Sequence, residues 1–186
     1  MNPRIQQILV ELGVTRTGEV AVADIVFNAA FRDACVANSC GKYGTNWSCP
    51  PGVGAVETLI ARAREFSRGL VIQTVWPLED AFDFDGMMAG CDKHNALFRA
   101  AAARLAPLLA ARGGDTPPCL ALSAGGCTQC ERCTYPDGAP CRFPERRSVS
   151  LEAYGIDVAA LLGVAGLSYT NGPNTVSYVG LILHHG

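Results

Sequence analysis

Cys127-Thr-Gln-Cys130-Glu-Arg-Cys133 sets three thiols at successive two-residue gaps, and Cys141-Arg-Phe-Pro144 adds a fourth in the same segment. With two residues between them, consecutive sulfurs can face one concavity while the intervening backbone N–H groups turn toward inorganic sulfide. That arrangement lowers the cost of holding a negatively charged cluster. The chemistry it suits is thiolate ligation of a metal, foremost a [4Fe-4S] cluster on Cys127, Cys130, Cys133 and Cys141. Cys141 closes the set from across a turn containing Pro136, Asp137, Gly138 and Pro140. Structural zinc on the same four thiolates is the alternative, although such sites usually draw on two separated pairs rather than a close triple.

The run resembles bacterial ferredoxin ligand runs, with two departures. Its last gap holds seven residues, and proline follows three positions after Cys141 instead of directly. A second group lies upstream, where Cys35-Val-Ala-Asn-Ser-Cys40 leads through Gly41 and Gly44 to Cys49-Pro50-Pro51-Gly52. Glycine and proline at this density impose an irregular backbone that can wrap an ion. Cys35, Cys40 and Cys49 make three ligands without a fourth. A [4Fe-4S] cluster on this trio would leave one iron open to water or substrate, where it could act as a Lewis acid. Alternatively Cys91, Cys119 or a histidine closes the site, or the three thiols are simply small buried apolar groups.

Other residues near these motifs read more plainly. Lys42, Arg132, Arg142, Arg146 and Arg147 could offset cluster charge or attract an acidic redox partner, but solvated surface charge is the simpler reading. Tyr43 and Trp47 are read as loop-packing aromatics. His94 shares a helical face with Leu97, Phe98 and Ala101 and is read as a core histidine. His184 and His185, near the C-terminus, are read as mobile polar residues. No Gly-rich phosphate loop, Gly-x-Ser-x-Gly elbow or His-Glu-x-x-His pattern is present in the chain.

The elements that must hold these loops follow from period and turn chemistry. Val56, Leu59, Ile60, Ala63 and Phe66 recur at helical spacing and predict a helix over residues 54–67. Gly69 ends it, and the β-branched and aromatic run from Leu70 to Trp76 predicts a strand. A loop or lid is expected over residues 80–90. Leu97 to Leu109 predict a long helix that stops before Gly113-Gly114, and Pro117-Pro118 lead into a strand over residues 119–123. Strand, helix, strand suggests a crossover unit. Ser150 can cap a short helix ended by Gly155, and Asp157 can cap another. Residues 167–170, the turn Asn171-Gly172-Pro173-Asn174 and residues 175–183 predict a β-hairpin. The expected fold class is α/β, one domain over residues 1–186: a mixed sheet with helices packed on it, cysteine-rich loops and a C-terminal hairpin.

With 186 residues and 49% hydrophobic composition, the chain is long enough for a substantial core. Charged residues are 17% and net charge is −2, so no basic excess points to nucleic acid. No signal-peptide or membrane-spanning stretch is expected, which places the protein in the cytoplasm. Nine cysteines in a reducing compartment seldom mean disulfides, and an odd number cannot all pair within one chain.

The two cysteine motifs in this order, Cys-x4-Cys-Gly-Lys-Tyr-Gly-Thr-Asn-Trp-Ser-Cys-Pro-Pro and Cys-x2-Cys-x2-Cys-x7-Cys-Arg-Phe-Pro, resemble the family called domain of unknown function 2284. Glu152-Ala-Tyr-Gly-Ile-Asp157 extends the likeness over most of the chain. The resemblance implies metal binding. It implies Cys35, Cys40, Cys49, Cys127, Cys130, Cys133 and Cys141 as the functional set and leaves Cys91 and Cys119 as non-ligands. The leading functional reading is one or two [4Fe-4S] clusters that pass electrons in service of a redox partner protein. The alternatives are an enzyme whose open iron on the trio activates a small-molecule substrate, and a zinc-stabilised binding or scaffold protein.

Overall fold

The computed structural model describes residues 2–109 and 119–185. The apolar run expected as a strand forms β2 (Arg68–Pro77), the spine of the sheet. Along its whole length β2 pairs antiparallel with β4 (Thr175–His184), from Arg68 opposite His184 to Pro77 opposite Thr175. β1 (Arg16–Ala21) pairs with the outer edge of β2, and β3 (Cys119–Leu122) with the far edge of β4. The order is β1-β2-β4-β3, and every neighbouring pair is antiparallel.

A mixed sheet was the expectation, and β4 is the reason for the difference. The strand–helix–strand unit is present, since β2, α4 (Phe84–Leu109) and β3 follow one another. However, β4 lies between the two strands and runs against both. Among the described residues, parallel pairing survives only as an isolated bridge between Ser123 and Ser150, where the cysteine loop leaves and rejoins the sheet.

Strand alternation gives the sheet two apolar faces. Leu70, Ile72 and Ile182 pack with Phe98, Ala101 and Leu105 of α4 and with Ile5, Ile8 and Leu9 of α1 (Pro3–Glu11). Val71, Leu181 and Leu183 point the other way, toward Leu59 and Ala63 of α3 (Val56–Ala63) and Leu161 and Leu162 of α5 (Val158–Val164). Burial on both faces makes a three-layer sandwich.

α3 lies inside the helix expected over residues 54–67, starting two residues later and ending four earlier, at Ala63. α4 starts earlier than expected: residues 84–90, read as loop or lid, are its first two turns. Asp83 explains the start, because its carboxylate accepts from Gly86 N at 2.8 Å and Glu79 N at 3.1 Å. The expected stop before Gly113-Gly114 and the Pro117-Pro118 lead-in lie outside the described residues. Ser150 Oγ accepts from Ala153 N, Gly155 adopts φ 67°, and Asp157 caps α5 through Ala160 N, all as the turn chemistry predicted.

Of the C-terminal hairpin only the second strand, β4, forms. Residues 167–170 are irregular, because side chains take the groups a ladder would use. Ser168 O accepts from Gln73 Nε2 at 2.8 Å and from Asn171 Nδ2 at 3.0 Å. His184, expected to be mobile, is a buried residue of β4.

Candidate metal centre

The two cysteine segments leave the sheet at different points and meet beside it. The first runs between β1 and α3, with Cys35 on the short helix α2 (Phe31–Val36) and Cys40 and Cys49 in the following turns. Local polar bonds shape it. Asn38, at φ 54°, accepts from Tyr43 N at 2.9 Å, Asn46 Oδ1 accepts from Ser48 N at 2.9 Å, and Gly44 N donates to Pro50 O at 2.8 Å. The second segment follows β3 and carries Cys127, Cys130, Cys133 and Cys141. Its turn is tied by Thr134, whose hydroxyl donates to Pro140 O at 2.8 Å and whose carbonyl accepts from Asp137 N and Ala139 N.

Trp47 joins the segments. Its indole Nε1 donates to Ala139 O at 3.1 Å, its ring meets Tyr135 edge-to-face at 4.9 Å, and its carbonyl accepts from Arg147 Nη1 at 3.0 Å. Gly52 adds a close approach, since a Cβ there would sit 2.7 Å from the Tyr135 ring. Directly before Cys127, the Cβ position of Gly126 is 3.6 Å from Cys49 Sγ, so the upstream thiol touches the downstream loop. Trp47 is thus a loop-packing aromatic as expected, but what it packs against is the other cysteine loop.

All nine cysteines are free thiols, and of the seven in the motifs Cys40 is exposed while the others are partly buried. Burial pushes the Cys35 thiol up, opposed by the Arg32 guanidinium and reinforced by Cys40 and Glu152. Burial likewise pushes Cys49 up, opposed by a hydrogen bond from Asn46 and by Lys42, with Cys40 and Cys35 adding like charge. The trio therefore shares one electrostatic neighbourhood. Arg32, which sequence reasoning missed, is its cation. Its guanidinium is anchored on Ala153 O at 2.9 Å and Gly54 O at 3.1 Å and feels both Cys35 and Cys49. Only its position on α2, three residues before Cys35, hinted at this.

The remaining basic residues behave as surface charge except Arg147. Arg132 pairs with Asp137 at 2.6 Å, and Arg142 Nη1 donates to Arg132 O at 2.9 Å. His94 is fully buried on α4 and meets Thr74 Oγ1 at 2.9 Å, a core histidine as read. Cys91 accepts from Asn95 Nδ2 at 3.4 Å and lies 3.8 Å from the Cβ position of Gly125. Cys119 faces the α4 layer of the core.

The donors are soft thiolates on irregular backbone, a set whose chemistry suits zinc or an iron–sulfur cluster. Among the described residues, no three Cys, His, Asp or Glu side chains converge closely enough to grip one ion. The loops are brought together while their sulfurs are not gathered around one point.

Sheet, helices and interlocked thiol loops define a cysteine-rich α/β protein. The family model described as "Predicted metal-binding protein (DUF2284)" matches residues 18–184, and the chain belongs to that family. Both cysteine segments fall inside the match. No curated protein and no solved structure matches the chain. Among the described residues, no helix is long and apolar enough to cross a membrane.

Proposed function

We propose that the chain is a cytoplasmic iron–sulfur protein that exchanges electrons with a partner protein, with a [4Fe-4S] cluster on Cys127, Cys130, Cys133 and Cys141. The observation that carries this reading is the interlock: the closely spaced thiol triple is anchored to the sheet by β3 and braced from outside its own loop by Trp47, which donates to Ala139 O and accepts from the loop's own Arg147. A braced loop holds its ligands against the change of charge that accompanies one-electron transfer. When bound, the cluster supplies that redox chemistry at a potential set by nearby donors and exposure. Arg142, exposed and tied to Arg132 O, contributes positive charge at the loop surface.

A second reading is favoured by Arg32. Cys35 and Cys49 lie near a partly buried guanidinium, which opposes the burial that raises the Cys35 thiol, and with Cys40 they suit a second site with three protein ligands. On that reading the trio holds a metal with one position left for a small substrate.

Single Cys→Ser substitutions test both readings under anaerobic purification. Cys127→Ser, Cys130→Ser or Cys133→Ser should abolish the visible absorption and paramagnetic signal of the main cluster, and Cys91→Ser and Cys119→Ser should leave them intact. If Cys35→Ser, Cys40→Ser and Cys49→Ser all retain the full iron content, the second site is removed. Bound zinc without sulfide would replace both readings with the zinc scaffold.

A further inference from the structure

A cleft of about 470 Å3 opens on the α5 side of the sheet, within the range of small-molecule sites. The accessible part of its apolar floor is Val158 and Val176, over the buried Leu151, Leu162 and Val179, and its polar wall includes Ser123, Thr170, Asn171 and Ser177. Two lining residues connect it to the cysteine segments. Gly125 lies on the wall, and its neighbour Gly126 approaches Cys49 Sγ at 3.6 Å from its Cβ position. Glu152 also lines the cleft, and its carboxylate acts on Cys35. The cleft therefore adjoins the downstream cysteine loop and, through Gly126 and Glu152, lies near the upstream one.

Its charge is one-sided. Glu152 is the single carboxylate among the described lining residues, and no Lys, Arg or His lines the cleft. Arg16 reaches the wall only as a donor to the lining Asn171 Oδ1, and Arg32 is bound to the Ala153 and Gly54 carbonyls. An anionic ligand would meet no counter-charge on these walls, whereas a cation would meet one carboxylate above an apolar floor.

We propose that this cleft binds a small organic amine, its ammonium on the exposed Glu152 carboxylate and its apolar body on Val158, Val176 and Tyr169. The use of the bound amine beside the loops rests on reading those loops as a metal centre, but its binding does not. Equilibrium dialysis of the full chain, as purified with its metal, against cyclohexylmethylamine and cyclohexanecarboxylate compares cation and anion on one body. The amine should be retained at least about tenfold more strongly. Glu152→Gln should remove that preference, and Val158→Trp should exclude the amine by filling the floor. Equal retention of the two probes, amine binding unchanged in Glu152→Gln, or no amine retained at millimolar concentration would each overturn the proposal. Thermal melting confirms that Glu152→Gln is folded, and that variant decides the matter if Val158→Trp does not fold. Metal content measured on the same samples separates the two readings. Amine binding without metal supports the cleft alone, and metal without amine binding removes the cleft.

Discussion

Trp47 concentrates the coupling between the cysteine loops in one side chain. Trp47→Phe keeps a ring against Tyr135 but deletes the indole donor to Ala139 O. The expected loss is about 1 kcal/mol, or a melting temperature lower by roughly 2–4 °C in a chain of this length. An unchanged melt would mean that the bond does not join the loops. At the candidate site, the two cysteine motifs were legible because spacing is a local property of sequence. Arg32 and the Trp47–Ala139 bond were not, because they join positions that only the tertiary fold brings together. Arg147 was misread as plain surface charge for the same reason: its acceptor, Trp47 O, lies 100 residues away.

Elements were legible where one local signal dominated. β2, α3 and the caps at Ser150, Gly155 and Asp157 each rest on periodicity or turn chemistry within a few residues. The start of α4 was hidden because Gly86, Gly90 and three aspartates between 80 and 85 resemble a loop, while the Asp83 cap needs its acceptor geometry to be seen. The hairpin failed where Gln73, from the sheet, captured Ser168 O. Gly180 shows the complementary case, a glycine that β4 needs for packing. A Cβ there would lie 2.2 Å from the Phe98 ring, so α4 could not sit at its present depth. Gly180→Ala should cost about 1–3 kcal/mol in chemical denaturation, and Phe98→Leu in the same chain should recover part of that loss. Additive effects of the two substitutions would show that α4 does not press on β4 at this point.

For the whole molecule, the buried His94 links stability to pH. Burial holds its imidazole down to about 4, against an ordinary 6.5, with the Val179 backbone opposing. The unfolded chain therefore takes up a proton near 6.5 that the folded chain refuses until about 4. Stability should be fully present above 6.5 and fall as pH drops through that window, by on the order of 3 kcal/mol. Denaturation of the parent and of His94→Gln across the window checks this: a slope that is the same in both would assign the loss to other groups. The sandwich thus supplies a stable support at neutral pH for loops whose own backbone is irregular.

The proposal that these interlocked loops hold an iron–sulfur cluster fixes what the purified protein must contain. Iron, zinc and acid-labile sulfide, counted per chain in protein purified without air, test it most directly. A cluster on the Cys127 loop alone gives about four iron and four sulfide, and a second on the Cys35 trio gives about eight of each. Stoichiometric zinc with no sulfide would contradict the proposal.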